Sequence, residues 1–457
     1  MAESIHLLLP KKNSMLFPKK ILFVLCSAVL VEAQAQKVDF TEYDLANGLH
    51  VILHEDHSAP VVAVTVFYHV GSKNEDTNRT GFAHFFEHLL FEGSENIKRG
   101  EFSKIVSSNG GQDNATTSQD RTFYYENFPS NDLEIGLWLE SERMMHPVIN
   151  DVGVETQNEV VKEEKRQRLD NQPYGHLVED VFKRLFTQHP YRWQPIGSMA
   201  DLDAAKLDEF KAFFKKYYVP NNAVLSIAGD INIAKTKELV EAYFNDIPKG
   251  APITQPDIKE APITKEIIDT AYDANIQIPA IVASYRTPGL STHDSKVLDM
   301  ISNYLSQGAS SKLYKKMVDD KKDALQVGAF NYSLEDYGAY ITYALPNNNA
   351  SLDTLLNDID EEVKKVQTDL ISEEDYQKLL NQLENDYVDN NTRMLSVAGN
   401  LAEGYAFYHN TNHVNEELDE YKKITREEIR DVAKKYLNKD QRVVLYYLPQ
   451  KGDNNKQ

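Results

Sequence analysis

A single cysteine, Cys26, occurs in 457 residues, so neither a disulfide framework nor a cysteine-built zinc fold can hold this chain together. Long apolar runs are also scarce. The clearest, Ile21 to Val31, covers about 11 residues, well short of the roughly 20 that span a bilayer as a helix, which argues against stable membrane insertion. Basic residues are outnumbered: 49 Lys and Arg face 70 Asp and Glu, for a net charge of −21. Such a surface repels phosphate backbones, so nucleic acid is not expected as a partner. What remains is ordinary for a globular protein, with 41% hydrophobic, 26% charged and 10% aromatic residues. At roughly 100–200 residues per domain, the length predicts two to four domains.

The first 36 residues read as an address. Lys19-Lys20 precede the apolar run, and Ala33-Gln34-Ala35 offers small residues at the positions before a cleavage point, the pattern of a secretory signal peptide. Either Met1 or Met15 can serve as the start. Cleavage after Ala35 removes Cys26 and leaves a thiol-free, exported chain, periplasmic if the source is Gram-negative and secreted otherwise.

Two similar halves follow. The proline-rich stretch from Pro248 to Lys265 lacks helical periodicity and reads as an extended linker. Near the end of the first half, Asp208-Glu209-Phe210 leads through Lys215-Lys216-Tyr217 to the strand-like Ala223 to Ile227. Near the end of the second, Glu427-Glu428-Ile429 leads through Lys434-Lys435-Tyr436 to Arg442 to Tyr446, and each group follows its counterpart at one constant offset. A duplicated domain is the reading. The predicted organisation is signal peptide 1–36, first domain 37–250, linker 251–264, second domain 265–450 and polar tail 451–457. The expected fold is α+β: two homologous domains, each a mostly antiparallel sheet packed against helices. In the first half, His50 to His54 and Val61 to Val70 suggest a β-hairpin. Helical stretches are predicted at Thr80 to Phe91, Asp132 to Met145 and Asp151 to Arg168.

The segment Gly81 to Gly93, GFAHFFEHLLFEG, carries the chemistry. His84 and His88 lie four apart and share one helix face, an arrangement in which two imidazoles can hold one zinc ion. Glu87 stands beside them without being forced to coordinate. Zinc lowers the pKa of a water it holds, and a free carboxylate nearby can take the proton as that water attacks a carbonyl. A chance H-x-x-E-H in this composition is expected only about 0.03 times. Apolar Phe85, Phe86, Leu89 and Leu90 bury the helix, and buried polar groups require partners. A third ligand is needed. The charged helix from Glu155 to Arg168 offers Glu159, Glu163 and Glu164, and spacing alone does not choose among them.

With these motifs, the chain resembles the pitrilysin family of inverted-zincin metallopeptidases, and within it the two-domain processing-peptidase-like members. The resemblance spans the hairpin, the histidine helix, the glutamate helix, the linker and the second domain. It implies a zinc endopeptidase with one zinc per chain, held by His84, His88 and Glu164, and with Glu87 as general base. Glu163 is the alternative ligand if the register slips by one. Asn114 and Ala115, in Asn114-Ala115-Thr116-Thr117, match the family's edge strand, to which an extended peptide substrate adds; the plain alternative is that Asn114 caps a turn. Gln157 stands where many relatives carry an auxiliary Glu, two helical turns before the ligand.

One departure has a consequence for assembly. Active relatives bring an Arg and a Tyr, seven apart, to the zinc from a facing domain, whereas Met317-Val318 to Leu325 places Val318 and Leu325 there. In the second half, Asp299, Ser302 and Asn303 best match His84, Glu87 and His88, so no second zinc site is expected. The resemblance therefore implies a homologous partner subunit supplying Arg and Tyr, a heterodimer, with a second copy of this chain as the alternative. The rival readings are a catalytically silent assembly or binding subunit and a purely structural zinc with four protein ligands.

Overall fold

The computed structural model describes residues 37–450; the predicted leader and polar tail lie outside them. Two sheets form. The first contains β1 (Thr41–Asp44), β2 (His50–Glu55), β3 (Val61–Tyr68), β4 (Gln112–Thr117), β5 (Thr122–Pro129) and β6 (Ala223–Gly229), in the order β1-β2-β6-β3-β5-β4. The second contains β7 (Ile267–Asp273), β8 (Ala280–Pro288), β9 (Ala324–Ser333), β10 (Tyr337–Pro346) and β11 (Arg442–Pro449), in the order β7-β11-β8-β10-β9. All neighbours pair antiparallel except β2 with β6 and β7 with β11. The α+β expectation of two mostly antiparallel sheets with helices holds.

The sheets repeat one another strand for strand, with β1 as an addition to the first. The helix Leu207–Tyr217 and strand β6 recur as the helix Arg426–Tyr436 and strand β11, in the register that the sequence repeat predicts. The hairpin expectation does not hold. Strand β6 inserts between β2 and β3, so these two strands never pair. Local alternation cannot register a partner that arrives from the far end of the same half. Helix ends also move inward: the histidine helix runs Phe82–Leu89, and Asp151–Lys165 is followed by a π-turn at Arg166–Asp170. Residues 251–264 form neither helix nor strand.

Central strands are apolar at consecutive positions because each sheet is covered on both faces. Along β3, Val62, Val64, Val66 and Tyr68 enter the core under the first half's own helices, while Ala63 and Phe67 meet Val397, Ala398 and Leu401 of the helix Met394–Tyr408. That helix belongs to the second half. The exchange is reciprocal: Val181, Phe182 and Leu185 of the first-half helix Leu177–Leu185 pack on Val282, Val443 and Leu445 of the second sheet. Each half thus covers the other's open face, and residues 38–450 belong to one compact unit. Among the described residues, no helix is long and apolar enough to cross a membrane.

Candidate metal centre

The histidine helix is fixed before its histidines do anything. Its first residue follows Gly81, whose φ of +96° is a conformation that glycine adopts without strain. No side chain caps it from Gly81. Instead, Glu75 accepts from the N–H groups of Gly81 and Ala83 at 2.9 and 2.8 Å, placing a carboxylate on the positive end of the helix. Phe82, Phe85 and Phe86 are buried, and all three pack against Phe210 of the helix Leu207–Tyr217, at ring-centroid distances of 4.5, 4.6 and 6.0 Å. Tyr124 donates to the Phe86 carbonyl at 2.8 Å. Burying this face points His84 and His88 towards the helix that carries Glu164.

Their ligating atoms converge. Glu164 Oε2 lies 3.4 Å from His84 Nε2 and 3.0 Å from His88 Nε2. Among the described residues, these three form the one group of His, Cys, Asp or Glu side chains close enough to share an ion, with all ligand atoms within 4.8 Å. With zinc–ligand distances of about 2.0–2.2 Å, tetrahedral neighbours stand roughly 3.3–3.5 Å apart, so the spacing suits one small cation. Glu164 Oε2 is buried yet makes no well-directed hydrogen bond, as befits a donor aimed at a common point instead of at either imidazole. The donor set therefore fits zinc. Its other oxygen, Oε1, pairs with Arg168 at 2.7 Å.

The charged helix also sorts its own candidates. Glu159 is exposed and pairs with Lys162 at 3.2 Å, while Glu163 is exposed and accepts from Arg166 and Gln167. Both face away from the histidines. Gln157 donates to Glu92, and its buried Oε1 has no partner, so its hydrogen bonding runs to Glu92 and not to the three donors.

Glu87 lies in the wall of the same cavity of about 660 Å³. Thr117 of β4 donates to its Oε2 at 2.5 Å. Burial holds the Glu87 carboxyl above its ordinary range, against the lowering effect of Thr117. Burial, with His88 adding to it, pushes His84 down to about 4, leaving its imidazole neutral near pH 7, as a ligand must be. For Glu164, burial acts upward but is outweighed by His88, His84 and Arg168, and the carboxylate form is favoured. The site therefore offers a neutral imidazole at His84 beside that of His88, an anionic carboxylate at Glu164 and one carboxyl suited to proton transfer.

Strand β4 is the outer strand of its sheet and borders this cavity. Ala115 is buried and Asn114 exposed. The Ala115 N–H donates to the Asn114 side chain at 2.9 Å, so the carboxamide covers a backbone donor that an added strand would use. Val318 packs at the margin of the second core, and Leu325 is exposed on β9.

The second half keeps the scaffold and loses the donors. By strand register, Asn331 of β9 occupies the place of Thr117 in β4. Asn331 donates to Asp299 at 3.0 Å, as Thr117 does to Glu87. Asp299 thus matches Glu87 rather than His84, which corrects the sequence comparison. Lys296 and Met300 then stand where the histidines would be. Thr117, Glu75 and Arg168 were missed as supporting residues. Only Thr117, inside the edge-strand motif, carried any local signal.

Comparison with known proteins gives a consistent set. Residues 50–194 match the family described as Insulinase (Peptidase family M16), and residues 204–383 match Peptidase M16 inactive domain. The zinc protease PqqE of Helicobacter pylori is 30% identical over 442 residues, covering 95% of this chain and 99% of that protein. A solved protease from Helicobacter pylori has a TM-score of 0.86 at 29% identity, covering 91% of this chain and 100% of that one. The periplasmic protease PqqL of Escherichia coli and pitrilysin share the fold with TM-scores of 0.74 and 0.75, each at 17% identity. This chain spans 48% and 46% of those two proteins, about half of each.

Proposed function

The chain belongs to peptidase family M16, the insulinase family, and on that premise we propose that it is a zinc endopeptidase acting on extended or unfolded peptides. One observation carries the reading. A carboxylate from a separate helix, remote from His88 in sequence, brings its Oε2 within 3.0 and 3.4 Å of two imidazoles, while Glu87 stays outside that set beside an edge strand. His84, His88 and Glu164 hold the ion, one per chain. Zinc, when bound, supplies Lewis acidity that activates water and polarises a peptide carbonyl. Glu87 takes the water's proton and passes it to the leaving amine. Thr117 orients Glu87, and Arg168 holds Glu164 in place. The substrate backbone adds along β4 at Asn114 and Ala115, with the Asn114 carboxamide swinging off the Ala115 N–H as it does so. Gln157 acts at longer range through Glu92.

The assignment of Glu164 has a direct test. Glu164→Gln is expected to weaken zinc affinity by more than the roughly 10–100-fold that loss of a supporting contact costs, whereas Glu163→Gln leaves it unchanged. Equilibrium competition with a chelating dye distinguishes the two.

The chain works with a homologous subunit that supplies the missing Arg and Tyr, donors that stabilise charge on the scissile carbonyl. This rests on Val318 and Leu325, which stand where the resemblance places that pair. It is exported to the periplasm or secreted, as its leader pattern indicates; the related PqqL is described as a periplasmic protease. Zinc-loaded protein alone is expected to cleave quenched unfolded peptides at least roughly tenfold more slowly than the native assembly purified with its partner. Full activity alone rejects the partner, and no cleavage by either preparation with zinc bound rejects the peptidase reading in favour of a silent assembly subunit.

A further inference from the structure

Just beyond the end of β4, the cavity wall contains a buried polar group whose hydrogen-bonding capacity is poorly used. Gln119 is completely buried, and neither its Nε2 nor its Oε1 makes a well-directed hydrogen bond. A carboxamide left in this state is unfavourable, and native proteins keep few of them. It lines the same cavity as His84, Glu87, His88 and Glu164. Its backbone is held firmly. Lys73 N–H donates to the Gln119 carbonyl at 2.9 Å, and a Cβ at Gly71 would fall 2.5 Å from that same oxygen, so the two segments touch as closely as glycine permits.

A second polar group faces it from the other half. Among the described residues lining the cavity, Tyr332 of β9 alone belongs to the second half. Its ring is fixed edge-on against Phe182 at 5.2 Å, and its phenol makes a poorly directed polar contact with the Gln119 side chain. A substrate strand added to β4 finds ladder partners only as far as Thr117, because Ser118 to Arg121 turn the chain back into β5. The next peptide unit of such a substrate would find no backbone partner on this edge, where Gln119 lines the cavity.

We propose that Gln119, with Tyr332 beside it, forms a backbone-binding subsite that takes this next peptide unit, the carboxamide donating from Nε2 to its C=O and accepting its N–H at Oε1. The subsite extends the strand ladder by one residue with a side chain in place of main chain. It binds any residue with a free peptide N–H and rejects proline there. The inference rests on the peptidase reading, with substrate lying along β4.

The test is a scan of one cleavable peptide, N-methylated at successive backbone positions, against the zinc-loaded protein in its native assembly. Methylation at one position past those facing Asn114 to Thr117 is expected to lower kcat/KM roughly tenfold in the wild type. It adds no further loss in Gln119→Leu, which is itself about tenfold slower, chiefly through KM. Tyr332→Phe, which keeps the ring, is expected to reduce the methylation penalty in part. If Gln119 were only a packing residue, Gln119→Leu would raise Tm by removing a poorly bonded amide and leave kcat/KM unchanged; that result overturns the subsite. An equal methylation penalty in wild type and Gln119→Leu overturns it as well. Failure of the unmethylated peptide to be cleaved at all, with zinc bound, removes the peptidase reading and this inference with it.

Discussion

Glu87→Gln is expected to lower peptide hydrolysis by about three orders of magnitude while leaving zinc content and Tm unchanged. The substitution keeps shape and removes basicity. Thr117 donates to Glu87 Oε2 at 2.5 Å, and a glutamine carbonyl oxygen can accept the same bond, so the side chain stays oriented. His84, His88 and Glu164 converge without help from Glu87. General-base catalysis by a positioned carboxylate contributes about 10²–10⁴-fold, and a thousandfold loss corresponds to about 4 kcal/mol of barrier. Burial raises the Glu87 carboxyl above its ordinary range, which makes it a stronger base than a solvated glutamate. Single-turnover cleavage together with metal analysis of the same preparations checks the result. A variant with zinc bound and hydrolysis within a fewfold of wild type removes Glu87 from the chemistry and leaves the ion a structural role.

His84, Glu87 and His88 were legible because one helix places them: positions i, i+3 and i+4 meet on a face whatever the rest of the chain does. Glu164 was not legible from spacing. Three glutamates share its helix, and the choice depended on family pattern. The structure separates them by what each touches, with Lys162 taking Glu159 and Arg166 with Gln167 taking Glu163. The internal repeat could be read where helix and strand are contiguous in sequence. It could not predict β6 between β2 and β3, nor the helices Leu177–Leu185 and Met394–Tyr408 crossing to the opposite sheet, because those contacts join segments far apart in the chain. The second half shows the same limit in miniature. Sequence matching put Asp299 opposite His84, while strand register and the Asn331 hydrogen bond put it opposite Glu87.

Lys73→Met is expected to cost the most stability of any single substitution considered, about 3–5 kcal/mol, read as a fall in Tm of roughly 5–10 °C. The Lys73 side chain has no solvent exposure, and its Nζ lies 3.1 Å from Asp120, 2.5 Å from Glu335 and 3.3 Å from Asp336. Asp120 belongs to the turn after β4, and Glu335 and Asp336 to the turn between β9 and β10. One ammonium therefore neutralises carboxylates from both halves. His69 approaches Glu335 at 2.7 Å, His189 approaches Asp336 at 3.3 Å, and Tyr191 donates to Asp120 at 2.5 Å. Without Lys73, three carboxylates crowd one buried place with only neutral donors and histidines to oppose them.

The sign of the pH dependence follows. For Glu335 and Asp336, burial acts upward but is outweighed by His69, His189 and Lys73, so both carboxyls are held below their ordinary range. Their contribution is present above the unfolded carboxylate pKa and disappears as pH falls through the lower folded values. Methionine removes the part of that lowering due to Lys73, and the variant's carboxylates protonate earlier on acidification. The Tm gap between wild type and Lys73→Met should therefore be widest near pH 8 and narrow towards pH 4. Adding Glu335→Gln should recover part of the loss at pH 8, since it deletes one of the stranded charges. The backbone N–H groups of Ser72 and Lys73, which donate to the carbonyls of Ser118 and Gln119 at the end of β4, are kept in the variant, so zinc affinity should stay intact while stability falls. A Tm within about 2 °C of wild type at pH 8 would mean that the carboxylates find other cations or take up protons at little cost. The halves would then be held together by the exchanged helices alone.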